Sequence, residues 1–253
     1  MKKLLLGGTS DSTAILTLLN QLKIPVITSV VTDYGRHLAE KWGQPVHQGS
    51  MTASDMLAFI NHHQIDEIID ATHPFADVVS KEAMTAAKEA GISYIRFERQ
   101  RSMDLTGAIL ATSTQEAIDI LRAKNYQTIY LGTGSKTLPL FVNQLRDRRI
   151  VARVLPTSEV LLACEKLGLV ADQIDAIKAP FSKACHRELI ARTKADVFVS
   201  KESGTVGGVR EKIDACIELG IDCIIISRPQ MDYPKMVSRI EELEAYLNDG
   251  SEK

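Results

Sequence analysis

The sequence predicts an α/β protein with two Rossmann-like lobes, parallel sheets and a cleft between the lobes. Short apolar runs alternate with amphipathic stretches along the whole chain, which favours parallel strands connected by helices. The 253 residues are enough for one large α/β domain or two small ones. A charged stretch without periodicity, Glu98–Thr106, interrupts the alternation. We therefore expect a first lobe over residues 1–98 and a second lobe over residues 99–253.

The individual elements are predicted from the spacing of apolar residues and from the turn-forming residues between them. Apolar runs predict strands at Lys3–Leu6, Pro25–Val31, Glu67–Ala71, Ser93–Phe97, Gln127–Leu131, Arg149–Val154, Asp175–Lys178, Asp196–Ser200 and Asp222–Ser227. Amphipathic stretches predict helices that begin near Ser10, Ala53, Phe75, Thr114, Lys136, Ser158, Ser182, Val209 and Lys235. The last helix, Met236–Leu247, could complete the second lobe or pack back on the first.

Composition and charge exclude several classes of protein. Hydrophobic residues make up 45% of the chain and charged residues 25%, as in ordinary globular proteins. A net charge of -2 gives no general attraction to nucleic acid or to an anionic membrane. No apolar run approaches membrane-spanning length, and the cysteines form no C-x-x-C pair. We expect a cytoplasmic protein with reduced thiols; its oligomeric state is open, with a monomer slightly favoured.

The segment from Glu67 to Ala76 is the most informative stretch for function. A buried strand turns polar at Asp70, Thr72 and His73, and Pro74 prevents its continuation. Ligands of open α/β sheets bind at the carboxyl ends of the strands, so Thr72 and His73 are the candidate catalytic residues. His73 could transfer a proton, fix a ligand by a hydrogen bond, or bond a loop carbonyl, and the second role is favoured. No second ligand stands at metal-binding spacing, so no metal is expected.

Two turns in the first lobe are candidates for binding a dinucleotide. The first joins strand one to helix one and could place backbone N–H groups against a phosphate. Its candidate residues are Gly7, Gly8, Thr9, Ser10 and Asp11. Only Gly8 occupies a glycine position of the G-x-G-x-x-G fingerprint, so a plain tight turn is an equal alternative.

The second turn follows strand two, where the adenosine ribose lies in Rossmann units. Thr32 and Arg36 are its candidate cofactor ligands. Arg36 would suit a 2′-phosphate, whereas Asp33 would suit a free ribose hydroxyl, so the choice between NADPH and NADH stays open. The alternative is a solvated turn.

The second lobe offers cations and glycines at its strand ends. Lys136 follows the turn Gly132–Ser135, and Arg153 lies at the end of its strand. The loop Lys201–Gly208 adds Lys201, Ser203 and Gly204, a combination suited to an anion. Its length favours a function, although a flexible loop is the alternative. We expect Lys136, Arg153, Lys201, Ser203 and Gly204 to bind the carboxylates of an anionic substrate.

These motifs together resemble the precorrin-6A reductase family of cobalamin biosynthesis, over most of the chain. The matching segments are Leu5–Thr9 with Asp11, Asp70–Ala76, Tyr94–Arg99, Gly132–Gly134, Arg153–Pro156, and Lys201–Gly204 with Gly207 and Gly208. The His-Pro signature and the Lys-x-Ser-Gly loop are the most specific of them. The stretch Thr32–Arg36 differs from the Gly-Arg pair of some members and is similar to the branch that acts on the cobalt-containing intermediate.

The resemblance implies a reductase that moves hydride from NADPH or NADH to a ring double bond of precorrin-6A or cobalt-precorrin-6A, an anionic corrinoid. The cofactor would carry the chemistry, and the conjugated ring would accept the electron pair. Two alternatives remain at this level. A uroporphyrinogen-III-synthase-like protein would also hold a tetrapyrrole between two α/β lobes, but it would need no glycine turn. A non-catalytic sensor would bind its ligand without oxidising the nicotinamide.

Overall fold

The computed structural model describes residues 1–101, 104–179, 181–204 and 207–249. The chain divides into two compact units: unit 1 comprises Met1–Arg99 and Gln230–Lys253, and unit 2 comprises Gln100–Pro229. Five residues of predicted loops lie outside the described residues, namely Ser102 and Met103 of the crossover, Pro180, and Thr205 and Val206 of the glycine-rich loop.

Strands and helices alternate as the sequence predicts. The strands are β1 (Lys3–Leu6), β2 (Val26–Val30), β3 (Val46–Gln48), β4 (Glu67–Asp70), β5 (Ser93–Phe97), β6 (Ile109–Ala111), β7 (Thr128–Gly132), β8 (Arg149–Val154), β9 (Ile174–Ala176), β10 (Val197–Lys201), β11 (Asp222–Ile226) and β12 (Met236–Val237). The helices are α1 (Ser10–Gln21), α2 (Asp33–Glu40), α3 (Ala53–His63), α4 (Asp77–Ala90), α5 (Thr114–Ala123), α6 (Leu138–Gln144), α7 (Ser158–Lys166), α8 (Lys183–Thr193), α9 (Val209–Leu219) and α10 (Ile240–Asp249).

Unit 1 is a parallel sheet of six strands in the order β12-β5-β4-β1-β2-β3. Successive side chains of each inner strand enter opposite cores, because a strand alternates its faces. Leu5 packs in one core with Ile15 of α1 and Leu243 of α10, whereas Leu4 packs in the other with Met56 of α3. The chain order reverses between β1 and β4, and this topological switch point is where doubly wound sheets bind ligands.

Unit 2 repeats this arrangement with the order β6-β11-β10-β7-β8-β9, again entirely parallel. Strand β7 corresponds to β1 and β10 corresponds to β4, so the second switch point lies between β7 and β10. Tyr130, Phe198 and Ile213 form part of its core. The sixth strand differs in origin, since β6 precedes the rest of unit 2 whereas β12 reaches unit 1 from the end of the chain.

The C-terminal segment differs from the expectation. Residues from Gln230 onward belong to unit 1 and not to the second lobe. Met236 and Val237 pair with β5 as a strand, so the helix predicted from Lys235 begins only at Ile240. Leu243 and Leu247 then pack against the α1 side of the first sheet. The short strands β3 and β6 and helix α2 were not predicted.

None of the helices within the described ranges is both long and apolar enough to cross a membrane.

Candidate functional site

The glycine turn after β1 is tied to the loop after β4. Thr9 caps α1, and its hydroxyl donates to the carbonyl of Ala71 at 2.9 Å. Ser12 Oγ accepts the N–H groups of Gly8 and Thr9, each at 3.2 Å. Gly8 has φ +105°, a conformation that strains any other residue. The structure therefore brings two of the predicted site segments together at the first switch point.

A small pocket that opens to solvent lies between this turn, β2 and α2. Gly8, Thr28 and Leu38 are among its lining residues. Thr28 is 1% exposed, and its Oγ1 has no hydrogen-bond partner in the part of the chain that the structure describes. A buried hydroxyl without a partner is costly, which fits a pocket that takes a polar ligand.

The predicted ribose-binding turn is the start of a helix. Thr32 caps α2, and its Oγ1 accepts the N–H of Gly35 at 3.0 Å. Arg36 donates to Glu40 at 2.8 Å and lies 3.8 Å from Asp33 Oδ1. The Arg36 side chain is 36% exposed. A carboxylate, Asp33, and a guanidinium, Arg36, thus stand in the first turns of the helix that lines the pocket.

The other predicted residues of the glycine turn have different surroundings. Ser10 is exposed at the first position of α1. Asp11 forms an ion pair with Arg99, whose Nη2 lies 2.6 Å from Asp11 Oδ2. The Asp11 carboxylate is therefore held by a protein cation within unit 1. Arg99 belongs to the Tyr94–Arg99 motif, but no role could be assigned to it from the sequence, because its partner Asp11 lies 88 residues earlier in the chain.

Thr72 belongs to a buried ionic network centred on Asp70. Asp70 Oδ1 accepts from the Thr72 hydroxyl at 2.7 Å and from Arg96 Nη1 at 2.7 Å, and Arg96 also donates to the Thr72 hydroxyl at 2.9 Å. Tyr94 and Ser80 donate to Asp70 Oδ2 at 2.7 and 2.6 Å. Since the Thr72 proton is donated to a carboxylate, the hydroxyl is committed to structure.

Charge balance explains why Arg96 stays ionised in this network. Burial opposes the charge of Arg96, but the carboxylates of Asp70 and then Glu98 outweigh it and raise the pKa of the guanidinium. Burial also raises the pKa of the Tyr94 phenol, with the Asp70 charge acting in the same direction, so Tyr94 remains a donor.

His73 is exposed and follows directly after the network. Its Nδ1 accepts the N–H of Phe75 at 3.2 Å. In the neutral imidazole the hydrogen is then on Nε2, which can donate to a ligand. This geometry suits the hydrogen-bonding role that the sequence favoured.

Arg153 is the central cation of unit 2. It is 8% exposed, its Nη1 lies 3.1 Å from His186 Nδ1, and no carboxylate among the described residues forms an ion pair with it. Its guanidinium lies 5.3 Å from the ring centres of Phe181 and Phe198. A side chain at Gly132 would come within 2.8 Å of Arg153 Nη2, so the glycine lets the guanidinium approach the end of β7.

Lys212 and His186 interact with Arg153, and Lys201 lies near Lys136. Lys212 on α9 is 6% exposed and donates to Ser203 Oγ at 3.2 Å. Burial and then the Arg153 charge lower the pKa of Lys212 to about 7. Burial and the nearby exposed Lys136 lower the pKa of Lys201 to about 8. Burial, Arg153 and Lys212 lower the pKa of His186 to about 3, so this imidazole is neutral at pH 7.

The loop after β10 is held by a second buried ion pair. Glu202 Oε1 accepts the N–H of Gly204 at 3.0 Å and Arg228 Nη2 at 3.2 Å. Sequence reasoning missed Lys212, His186 and Arg228. A lysine on the apolar face of α9, beside Val209 and Ile213, was the available signal for Lys212.

Two parallel sheets, each in the doubly wound order and each with polar groups gathered at its switch point, define a Rossmann-like α/β protein of two units. The chain belongs to the precorrin-6x reductase CbiJ/CobK family, whose model matches residues 2–248. It is therefore an enzyme, an oxidoreductase of cobalamin biosynthesis, and the resemblance stated from the motifs is confirmed. This membership sets aside the synthase and sensor alternatives.

Relatives of nearly the same length support this assignment. A cobalt-precorrin-6A reductase of Priestia megaterium is 40% identical over 95% of this chain and 95% of its own. A cobalt-precorrin-6A reductase of Methanocaldococcus jannaschii is 34% identical over 98% of both chains. The solved structure of CobK precorrin-6A reductase has a TM-score of 0.81 at 21% identity, over 98% of this chain and 97% of that one, and shows that the fold is shared.

Proposed function

We propose that this protein reduces a ring double bond of cobalt-precorrin-6A to give cobalt-precorrin-6B, with NADPH or NADH as the reductant. Arg153 and Lys212 of unit 2, buried cations that form no ion pair with a carboxylate among the described residues, are the observation that carries the proposal. The choice of the cobalt form is supported by the relatives. Those at 40% and 34% identity are named for it, whereas a precorrin-6A reductase of Mycobacterium tuberculosis is 29% identical.

Unit 1 is proposed to hold the dinucleotide. The nicotinamide, when bound, supplies a hydride to the substrate ring. Gly8 allows the backbone to approach a phosphate, and the N-terminus of α1 adds a positive dipole end. The pocket between the turn and α2 supplies the Thr28 hydroxyl, and Arg36 and Asp33 stand on the helix that lines it. Asp11 serves this site through Arg99 and not by direct contact.

Unit 2 is proposed to hold the carboxylates of the corrinoid. Arg153 offers a guanidinium suited to a bidentate contact, and its burial makes that contact stronger than one at the surface. Lys201 and Lys136 add charge at the ends of β10 and β7. Ser203 and Gly204 hold the loop in place, because the Ser203 hydroxyl donates to Gly207 O at 3.2 Å and the Gly204 N–H donates to Glu202 Oε1 at 3.0 Å. An anion would balance Arg153 and Lys212, which unit 2 buries without a carboxylate partner among the described residues.

Thr72 and His73 are proposed to act by placement. The hydroxyl of Thr72 is shared between Asp70 and Arg96 and fixes the loop that presents His73. His73 orients a ligand through Nε2–H. The conjugated ring absorbs the electron pair, so the reaction places no demand on a strong acid of the protein.

The test is a titration of the purified protein with NADPH and NADH in parallel, followed by addition of cobalt-precorrin-6A. Saturable binding of a nucleotide and loss of its absorbance with the corrinoid support the proposal. Absence of nucleotide binding would refute the role of unit 1.

The assignment of ligands to units needs a matched pair of variants. Lys201→Ala is expected to weaken corrinoid binding far more than nucleotide binding. Lys124→Ala removes the same charge from the opposite edge of the unit 2 sheet, where Lys124 pairs with Asp222 at the start of β11, and should change neither. Equal loss of both ligands in Lys201→Ala would count against the assignment.

A further inference from the structure

A buried carboxylate–guanidinium pair stands at the corresponding place in each unit. The first pair is Asp70, at the end of β4, with Arg96 on the neighbouring β5; Asp70 Oδ1 and Arg96 Nη1 are 2.7 Å apart. The second pair is Glu202, just after β10, with Arg228, just after the neighbouring β11. All four side chains are no more than 4% exposed.

The two pairs also bind the backbone in the same way. Each carboxylate accepts the N–H of the residue two places further on, Thr72 or Gly204, and both distances are 3.0 Å. Each arginine donates to a carbonyl of the same loop. Arg96 Nη2 reaches Thr72 O at 2.9 Å, and Arg228 Nε reaches Glu202 O at 3.2 Å. Each pair therefore fastens the loop that leaves the switch point of its own sheet.

Stability alone does not account for this repetition. A buried ion pair loses so much hydration that well-packed apolar residues often serve the fold equally well. What apolar residues cannot do is fix the direction of backbone N–H and carbonyl groups in an irregular loop. The first pair fixes the segment that ends in His73, and the second fixes the segment from Lys201 to Gly204. These are the segments that the proposed function uses.

We propose that both pairs are positioning pairs for the reaction, the first for the nucleotide and the second for the corrinoid. The inference rests on the proposed function and deepens it, because it assigns a role to Asp70, Arg96, Glu202 and Arg228. None of the four is a catalytic residue: their charges are used within the protein, and each acts on a ligand through the loop that it holds.

The experiment compares Arg96→Lys and Arg228→Lys in the full-length protein. Lysine keeps the charge but lacks the planar fork that binds a carboxylate and a carbonyl together. Dissociation constants for NADPH and for cobalt-precorrin-6A, and the thermal midpoint, are measured for each variant. Arg96→Lys should raise the NADPH constant at least tenfold and the corrinoid constant less than twofold. Arg228→Lys should give the reverse.

The chain offers a matched control in Lys3 and Glu67. They form an ion pair of 2.8 Å, 6% and 4% exposed, in unit 1 but at the amino ends of β1 and β4. Glu67→Gln should lower the thermal midpoint without changing either dissociation constant. If Glu67→Gln weakens the binding of a ligand as much as Arg96→Lys does, the effect comes from a general loss of stability and the positioning role is refuted.

A second pair of variants keeps the test valid if a lysine variant does not fold. Asp70→Asn and Glu202→Gln retain the shape and one acceptor oxygen of the side chain but leave the buried arginine without its partner charge, and they should show the same division between ligands at least as strongly. Unchanged binding in the folded variants of a pair would overturn the proposal for that pair.

Failure of the proposed function would look different. If Gly8→Val weakens NADPH binding whereas Arg96→Lys and Asp70→Asn do not, the function stands and the positioning role falls. If Gly8→Val spares NADPH and Arg96→Lys weakens only the corrinoid, the positioning role stands and the ligands are assigned to the wrong units.

Discussion

The two units share one sheet order but differ in how they treat charge at the switch point. In unit 1 the buried guanidinium of Arg96 is balanced by Asp70 and Glu98. Unit 2 has the corresponding balanced pair of Glu202 and Arg228, but it also buries Arg153 and Lys212 beside a neutral His186, and within the described residues neither of these two cations forms an ion pair with a carboxylate. The same topology therefore supports a neutral edge with a glycine turn in one unit and a cationic edge in the other.

The difference indicates how each unit can select its ligand. A balanced edge attracts no anion by side-chain charge, so backbone N–H groups, a helix dipole and a pocket must do the binding. An unbalanced edge gives up stability in the free protein, because desolvated cations lack partners. A ligand with several carboxylates restores that balance, which couples its binding to relief of an unfavourable burial.

The largest effect is expected for Arg153→Met. Removing the buried cation should weaken corrinoid binding by roughly 2–4 kcal/mol, a factor of about 30 to 1000 in Kd, and leave NADPH binding unchanged. Titration with each ligand gives both values. Arg149→Met is the matched control, since Arg149 begins the same strand and bonds Thr193 O at 3.1 Å. Equal loss of corrinoid binding in both variants would contradict a specific role for Arg153.

A second effect tests the neutral edge. Gly8→Val forces a β-branched residue to a φ near +105°. We expect the resulting strain to weaken nucleotide binding by about 1–3 kcal/mol. Gly91→Val imposes comparable strain at φ +67°, at the end of α4 in the same unit. We expect calorimetric titration to show weaker NADPH binding only in Gly8→Val. Weakening in both variants would attribute the effect to stability.

The sequence predicted the central strands but not the edges of the sheets. Inner strands such as β1 and β11 contain short apolar runs that are visible locally. Strand β12 has only two residues and exists because it pairs with β5, from which about half the chain separates it. Helix α2 was missed because Gly35 and several polar residues obscure its period.

The same distinction applies to the candidate site. Asp70 and His73 stand out locally, because polar residues end an apolar run. The partner of Asp70, Arg96, lies 26 residues further on, and no local pattern joins them. The division of the chain was predicted near residue 98, but the return of Gln230–Lys253 to unit 1 depends on packing of α10 that period alone does not determine.

The cationic edge should also give a pH dependence. Lys201 has a pKa of about 8, lowered by burial and then by Lys136, so it is charged below pH 8 and neutral above it. kcat/KM for the corrinoid should fall as pH rises through about 8, by up to about tenfold per pH unit. Lys201→Arg stays charged and should flatten the profile. A drop that persists in Lys201→Arg would place the titrating group elsewhere.

Burying unpaired cations in unit 2 lowers the stability of the free protein, and Lys212 allows this loss to be measured. The folded-state pKa of about 7 lies below the ordinary lysine pKa of 10.5, so the unfolded chain binds more protons between these values. Stability from this group therefore rises with pH from about 7 to 10.5. Lys212→Met should flatten that rise and stabilise the protein at pH 7 by roughly 1–4 kcal/mol, seen as a higher thermal midpoint. A lower midpoint would show that the charge supports the fold.

The smallest effect concerns cofactor choice in unit 1. Arg36 is held by Glu40 at 2.8 Å, which reduces its availability for a 2′-phosphate, while Asp33 on the same helix would repel one. Arg36→Ala is therefore expected to change the ratio of NADPH to NADH affinity only about threefold, in favour of NADH, within the range of an exposed ion pair. Glu40→Gln frees the guanidinium and should shift the ratio by a similar factor toward NADPH. Parallel titrations with both nucleotides measure the two ratios, and shifts in the same direction would show that Arg36 does not contact the 2′-position.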